Sequence, residues 1–191
     1  MVGILLAAGF SRRFGSANKL LQHLPNGRPI ALASAENLIQ AIPTSIVVVR
    51  PENNELADLL LNAGLKVVFC NENDQEMADS LTTAIRFSAN FEAANDGVVI
   101  ALADMPYIQS ATISAIASKL NTGASIVIPS YQNQRGHPVG FSAKFRNELE
   151  SLQGDEGARS IIKRYPNEVE LLPCSDAGIL ADIDTLADLK N

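Results

Sequence analysis

The sequence predicts an α/β chain with a mostly parallel sheet and helices on both faces, and three observations predict it. Five apolar runs rich in β-branched residues, 2–6, 45–49, 66–70, 97–103 and 125–129, read as buried strands. Segments with helical apolar spacing separate them. The first run, Val2 to Leu6, passes directly into the small-residue loop Ala7-Ala8-Gly9. That is the pattern of a strand reaching a ligand at the sheet edge.

Each helical pattern follows its strand. Segment 29–41 aligns Ile30, Ala33 and Leu38. Segment 54–63 aligns Leu56, Leu59, Leu60 and Ala63. Segment 78–89 aligns Leu81, Ala84, Ile85 and Ser88, and 110–120 aligns Ile113, Ile116, Ala117 and Leu120. Such crossovers are expected to be right-handed. Beyond Tyr131 the pattern changes. Arg135-Gly136-His137-Pro138 reads as a loop, 139–142 as a short strand, and 144–152 and 156–165 as helices. A further strand is expected at 168–172, a short one at 181–183 and a closing helix at 185–190. With no repeat, low-complexity tract or linker, one domain over 1–191 is expected.

Composition narrows the class. The chain has 191 residues, 47% of them apolar, and 15 basic against 21 acidic side chains, a net charge of −6. That balance argues against a nonspecific nucleic-acid binder. No apolar stretch reaches the roughly 20 residues that span a bilayer, and the N-terminus lacks a basic n-region. A cytoplasmic protein without a membrane contact is expected. Cys70 and Cys174 are too few for a disulfide framework, and Cys70 reads as a small buried hydrophobe.

Four clusters carry chemistry. The first is Leu6, Ala7, Ala8, Gly9 and Ser11, followed by Arg13 and Lys19. Small residues let backbone N–H groups approach a ligand, and the two cations neutralise phosphate charge. A nucleoside triphosphate site follows, with Ala8, Gly9 and Ser11 at base or ribose and Arg13 and Lys19 on the phosphates. It is not a P-loop. As a surface lysine, Lys19 is expected to matter far more for binding than for stability. The second cluster is Asp104, at the end of the run 98–103. Magnesium takes one or two carboxylates plus waters and phosphates, so Asp104 reads as a metal ligand.

The third is Asp182-Ile183-Asp184-Thr185. Asp184 reads as a second metal ligand, or else Asp184 or Thr185 caps the last helix. The fourth is Arg135-Gly136-His137, contacting an anionic second substrate. Ser80, near a helix start, either caps it or touches the nucleotide. Segment 154–159 reads either as a plain helix entry or as one from which Arg159 reaches an anion, and His23 reads as structural.

In this order the clusters resemble the MobA-like nucleotidyltransferases, most closely the molybdopterin cytidylyltransferase branch. The resemblance rests on 6–19, 77–81, Leu102-Ala103-Asp104-Met105-Pro106, Arg135-Gly136-His137-Pro138, 154–159 and 182–185. Ala7-Ala8-Gly9 looks like the cytidylyl-transferring members, where guanylyl members typically show Ala-Gly-Gly. The resemblance implies a Rossmann-like three-layer nucleotidyltransferase fold and Mg2+-dependent transfer of CMP from CTP to molybdopterin, releasing pyrophosphate. Arg13, Lys19 and Asp104 would be catalytic, and the product would pass by transient contact to molybdoenzymes or their chaperones. Three alternatives stay open: a GTP-using molybdenum-cofactor guanylyltransferase, transfer to another phosphorylated acceptor, and a nucleotide-binding accessory protein without turnover. No G-x-G-x-x-G follows the first strand, which argues against direct redox catalysis.

Overall fold

The computed structural model of the chain describes residues 1–9, 18–71, 77–154, 157–185 and 187–190. In chain order its regular elements are β1 (Val2–Leu6), α1 (Ile30–Ala41), β2 (Ser45–Val49), α2 (Asn54–Asn62), β3 (Lys66–Phe69), α3 (Met77–Ser88) and β4 (Val98–Leu102). Then come α4 (Ser110–Asn121), β5 (Ile126–Tyr131), β6 (Gln134–Arg135), β7 (Val139–Phe141), α5 (Arg146–Glu150), α6 (Arg159–Arg164) and β8 (Val169–Pro173). They build one eight-stranded sheet in the order β3-β2-β1-β4-β7-β5-β6, with β8 paired to β5.

β3, β2, β1 and β4 run parallel, and β5 and β8 run parallel to each other. β7 is antiparallel to both β4 and β5, and β6 returns along β5 in a hairpin. Gln132 and Asn133 turn that hairpin with positive φ, 48° and 63°, the twist a two-residue turn requires.

Alternation along the strands feeds two cores. Leu5, Val47, Val49, Val99, Ala101 and Val127 pack against α1, α2 and α4 on one face. Val2, Ile4, Ile46, Val48, Ile100 and Ile128 pack against α3, α5 and α6 on the other. Three layers result, the expected mostly parallel α/β arrangement. Because both faces are covered, β1 and β2 are buried nearly end to end. β3 is an edge strand, half-exposed, and stops at Phe69. No helix among the described residues is long and apolar enough to cross a membrane.

Three expectations need correction. Arg135 is in β6 and only Gly136-His137-Pro138 forms a loop. Residues 181–183 form no strand: Ile183 is buried, and its N–H donates to the Asp104 carbonyl at 2.9 Å. The apolar–polar alternation there reflects docking against the core, not strand pairing. At the C-terminus the described residues show a 3-10 turn, Asp188–Lys190, where a longer helix was expected.

The sheet is tight where α1 crosses β1. A Cβ on Gly3 would meet Ser45 Oγ at 2.3 Å and Leu38 Cδ1 at 3.1 Å. Ser45 is not free to turn away, because its hydroxyl donates to the Ile42 carbonyl at 2.6 Å. Gly3→Ala is expected to destabilise the fold by roughly 1–3 kcal/mol through overpacking, read by urea denaturation. A neutral outcome would show slack at this crossing.

Candidate active site

The carboxyl ends of β1 and β4 lie side by side, because Leu6 pairs with Leu102 in register. Just past them Ala7 donates its N–H to the Val48 carbonyl and Ala103 to the Leu6 carbonyl, both at 3.0 Å. Ala7 and Ala8 are buried, and Gly9 turns outward. Among the described residues, a Cβ on Gly9 would meet nothing within 4 Å, so none of them crowds the backbone there. Ser11 and Arg13 lie outside the described residues.

The side chain of Asn18 accepts from the Leu20 N–H at 3.1 Å and caps the 3-10 turn Lys19–Leu21. This turn drives Lys19 inward, leaving it 7% exposed. Its ammonium donates to Asp104 Oδ2 at 2.8 Å and to Asp184 Oδ1 at 3.4 Å. Lys19 is therefore a buried ion-pair centre and not the surface lysine expected from sequence. The two carboxyl side chains are 25% and 41% exposed, so the cluster opens to solvent on their side.

Asp104 is held by its backbone. Ser34 Oγ donates to the Ala103 carbonyl at 2.9 Å and Asn37 Nδ2 to the Pro106 carbonyl at 3.1 Å, both from α1. Ala103, Met105 and Ile108 anchor the same segment in the core. The Ile183 bond to the Asp104 carbonyl brings Asp184 alongside. Asp188 opens the C-terminal turn, and its carboxylate reaches back to the residues before it. Its Oδ2 accepts from the N–H groups of Asp184 and Thr185 and from the Thr185 hydroxyl, at 2.7–3.0 Å. These bonds, those to Thr185 first, hold the Asp188 carboxyl below its usual range. Asp182 is exposed.

His137 reaches the same edge from the β6–β7 loop. Its N–H donates to the Ile179 carbonyl at 3.0 Å. Gly136 is required beside it, because a Cβ there would lie 2.4 Å from that carbonyl oxygen. Burial pushes the imidazole below its ordinary value, and the charges of Asp104 and Asp182 oppose that shift. The ring is therefore neutral at pH 7, and its buried Nδ1 has no hydrogen-bond partner among the described residues. Arg135 and Arg159 are exposed. Ser80 lies in the first turn of α3. No described hydrogen bond links Ser80, Arg135 or Arg159 to Lys19, Asp104 or Asp184.

Sequence reasoning missed three supports: Ser34, Asn37 and Asp176. Asp176 is 3% exposed, and its carboxylate accepts from Gln109 N–H, Thr112 Oγ1 and Gly178 N–H. Its Asp-x-Gly spacing signals a local turn, but nothing local signals Gln109 and Thr112, which lie 67 and 64 residues away.

Asp104 and Asp184 are the residues that could hold a hard divalent cation. Asp104 and Asp184 meet on one ammonium, so two hard oxygen donors lie within about 6 Å of each other. Among the described residues no group of three or more His, Cys, Asp or Glu is gathered for a metal. Two carboxylates, with phosphates and water completing the shell, match what magnesium or manganese takes.

Two outcomes follow. Lys19→Ala is expected to destabilise the fold, since it leaves two acidic groups facing one another. A double-mutant cycle with Asp104→Ala is expected to return a coupling of roughly 0.5–3 kcal/mol; zero coupling would mean the pair is only a surface contact. His137 has a folded-state pKa below its unfolded value of 6.5, so the unfolded chain binds the extra proton. Its contribution is full above pH 6.5 and is lost as pH falls through the lowered folded value. The stability gap between wild type and His137→Asn should narrow on acidification from pH 7.5 to 5, read by thermal melts. A constant gap would mean the ring is not held neutral.

Residues 3–169 match the family model described as MobA-like NTP transferase domain. The chain is 28% identical to purine catabolism protein PucB of Bacillus subtilis (strain 168), covering 97% of this chain and 92% of PucB. It is also 28% identical to nicotine blue oxidoreductase of Paenarthrobacter nicotinovorans, over 99% and 94% of the two chains. Among solved structures, Rv0371c of Mycobacterium tuberculosis H37Rv superposes with a TM-score of 0.82 at 26% identity, covering 99% and 94%. A complex of that protein with manganese superposes at 0.78 with 25% identity, covering 99% and 95%. With the glycine-bordered strand end, the buried lysine and its two aspartates in place, the chain belongs to the MobA-like NTP transferase family and is a nucleotidyltransferase.

Proposed function

We propose that this chain, acting as one cytoplasmic domain, transfers CMP from CTP to a molybdopterin-type phosphorylated acceptor and releases pyrophosphate with the help of Mg2+. The observation that carries the reading is the convergence of Lys19, Asp104 and Asp184 at the carboxyl edge of β1 and β4. An acceptor phosphate oxygen attacks the α-phosphorus of the triphosphate. The bond to the β-phosphate oxygen breaks, and pyrophosphate leaves with that electron pair. The protein's task is positioning and charge stabilisation.

Leu6, Ala7, Ala8 and Gly9 border the nucleotide, with Ser11 and Ser80 assigned to it from the sequence. Lys19 and Arg13 hold the triphosphate and offset charge growing on the leaving pyrophosphate. Asp104 and Asp184 would hold the cation, and the manganese complex of the Mycobacterium relative supports a divalent ion in this setting. When bound, that ion supplies charge neutralisation at the phosphoryl oxygens. An acceptor phosphate is already ionised, so no general base is required. Neutral His137, with Gly136, Arg135 and Arg159, orients the acceptor.

A second reading comes from the relative named an oxidoreductase. The chain carries no G-x-G-x-x-G after β1, so the transferase reading is preferred.

The test is pyrophosphate release from CTP, GTP, ATP and UTP, each with Mg2+ and with or without molybdopterin, alongside NADH and NADPH consumption. CTP with molybdopterin is expected to be fastest, and Asp104→Ala to lower kcat roughly 100-fold or more. A GTP preference would overturn the base assignment. Release with none of the four would favour an accessory role, and reduced-cofactor consumption a redox one.

A further inference from the structure

We infer that Asp176 is a positioning residue that fixes the separation between Asp104 and His137, and so between the nucleotide and acceptor sides of the reaction proposed above. Asp104 leads into the segment that ends at Gln109, immediately before α4. His137 hangs from the Ile179 carbonyl. The carboxylate of Asp176 bridges the two. Its Oδ2 accepts from the Gln109 N–H at 2.8 Å and from Thr112 Oγ1 at 2.7 Å, and its Oδ1 from the Gly178 N–H at 2.9 Å.

A carboxylate this buried is tolerated only with its oxygens satisfied, and three charge-assisted bonds satisfy it. If Asp176 served only its own turn, the Gly178 bond would suffice. The Oδ2 bonds instead fasten the start of α4, where Gln109 provides no side-chain cap.

The segments so joined are in backbone contact, which transmits any displacement. A Cβ on Gly178 would lie 2.1 Å from the Tyr107 carbonyl oxygen, and a Cβ on Gly136 2.4 Å from that of Ile179. From Tyr107 to Ile179 to His137 there is no slack. A shift of the 176–179 turn moves His137 relative to Asp104.

The chain has two histidines, His23 and His137, and His23 sits apart in an isolated bridge with Pro29. Imidazole 1H–15N spectra therefore report the displacement with an internal control. Asp176→Asn keeps the side-chain volume but places an N–H2 group against one of the three donors. Thr112→Val removes one bond, and Thr112→Ser retains it. In Asp176→Asn and Thr112→Val the His137 ring signals are expected to move while His23 stays, and Thr112→Ser is expected to match wild type. Turnover with acceptor is expected to fall roughly 10- to 100-fold in Asp176→Asn, with CTP affinity measured without acceptor changed less than about twofold. Thr112→Val carries the test if Asp176→Asn does not fold. Unmoved His137 signals in a folded variant, equal shifts at both histidines, or Thr112→Ser behaving like Thr112→Val would overturn the assignment. Equal loss of CTP binding and turnover would do the same. If wild type transfers nothing to any acceptor, the functional reading falls, while the spectra still decide the role of Asp176.

Discussion

One ammonium organises the site. Lys19 belongs to the start of the chain, Asp104 to its middle and Asp184 to its end, 85 and 165 residues away. A buried cation is costly to desolvate unless opposite charge comes close, and two acids forced together repel unless a cation lies between them. Each group's placement thus removes the other groups' electrostatic penalty. The same three charges face solvent on the carboxylate side, which is why the proposed function places the triphosphate and the divalent ion there.

The sheet makes this meeting possible. Parallel pairing of β1 with β2 and β4 sends all their carboxyl ends to one edge, and α1 then secures the segment after β4 through Ser34 and Asn37. Those bonds go to backbone carbonyls, so the main chain around Asp104 is fixed while its carboxylate is left to face Lys19. The antiparallel β7 performs a different service: it carries the chain back along the sheet from His137, so that residue starts at the edge where β4 finishes.

Much of this was legible in the sequence because the strongest signals were local. Val2–Leu6 and Ser45–Val49 could be bounded closely, since strands buried on both faces leave unbroken β-branched runs. The loop after β1 and the aspartate after β4 were visible as strand ends. Lys19's burial was not, because burial was conferred by partners far along the chain. Segment 181–183 was misread because a side chain docked on a core alternates with its neighbours much as a paired strand does. Asp184 gave no local sign of its place, because its contact with Lys19 spans 165 residues. Asp176 showed only its turn to the sequence, and two of its three bonds reach into a different helix.

The order of strands also sets how the molecule comes together. β1 to β4 are complete by Leu102 and form a contiguous parallel block, whereas β5 and β8 reach that block only across Val139–Phe141. On a growing chain, the first half can assemble its hydrogen-bond ladder long before the second has anything to dock on. Lys19 and Asp104 both belong to that first block, whereas Asp184 joins them from beyond β8, through the docking of Ile183. The three charges are thus gathered in two steps of topology: one contact lies within the parallel block, and the other needs the segment beyond β8 to fold back across it.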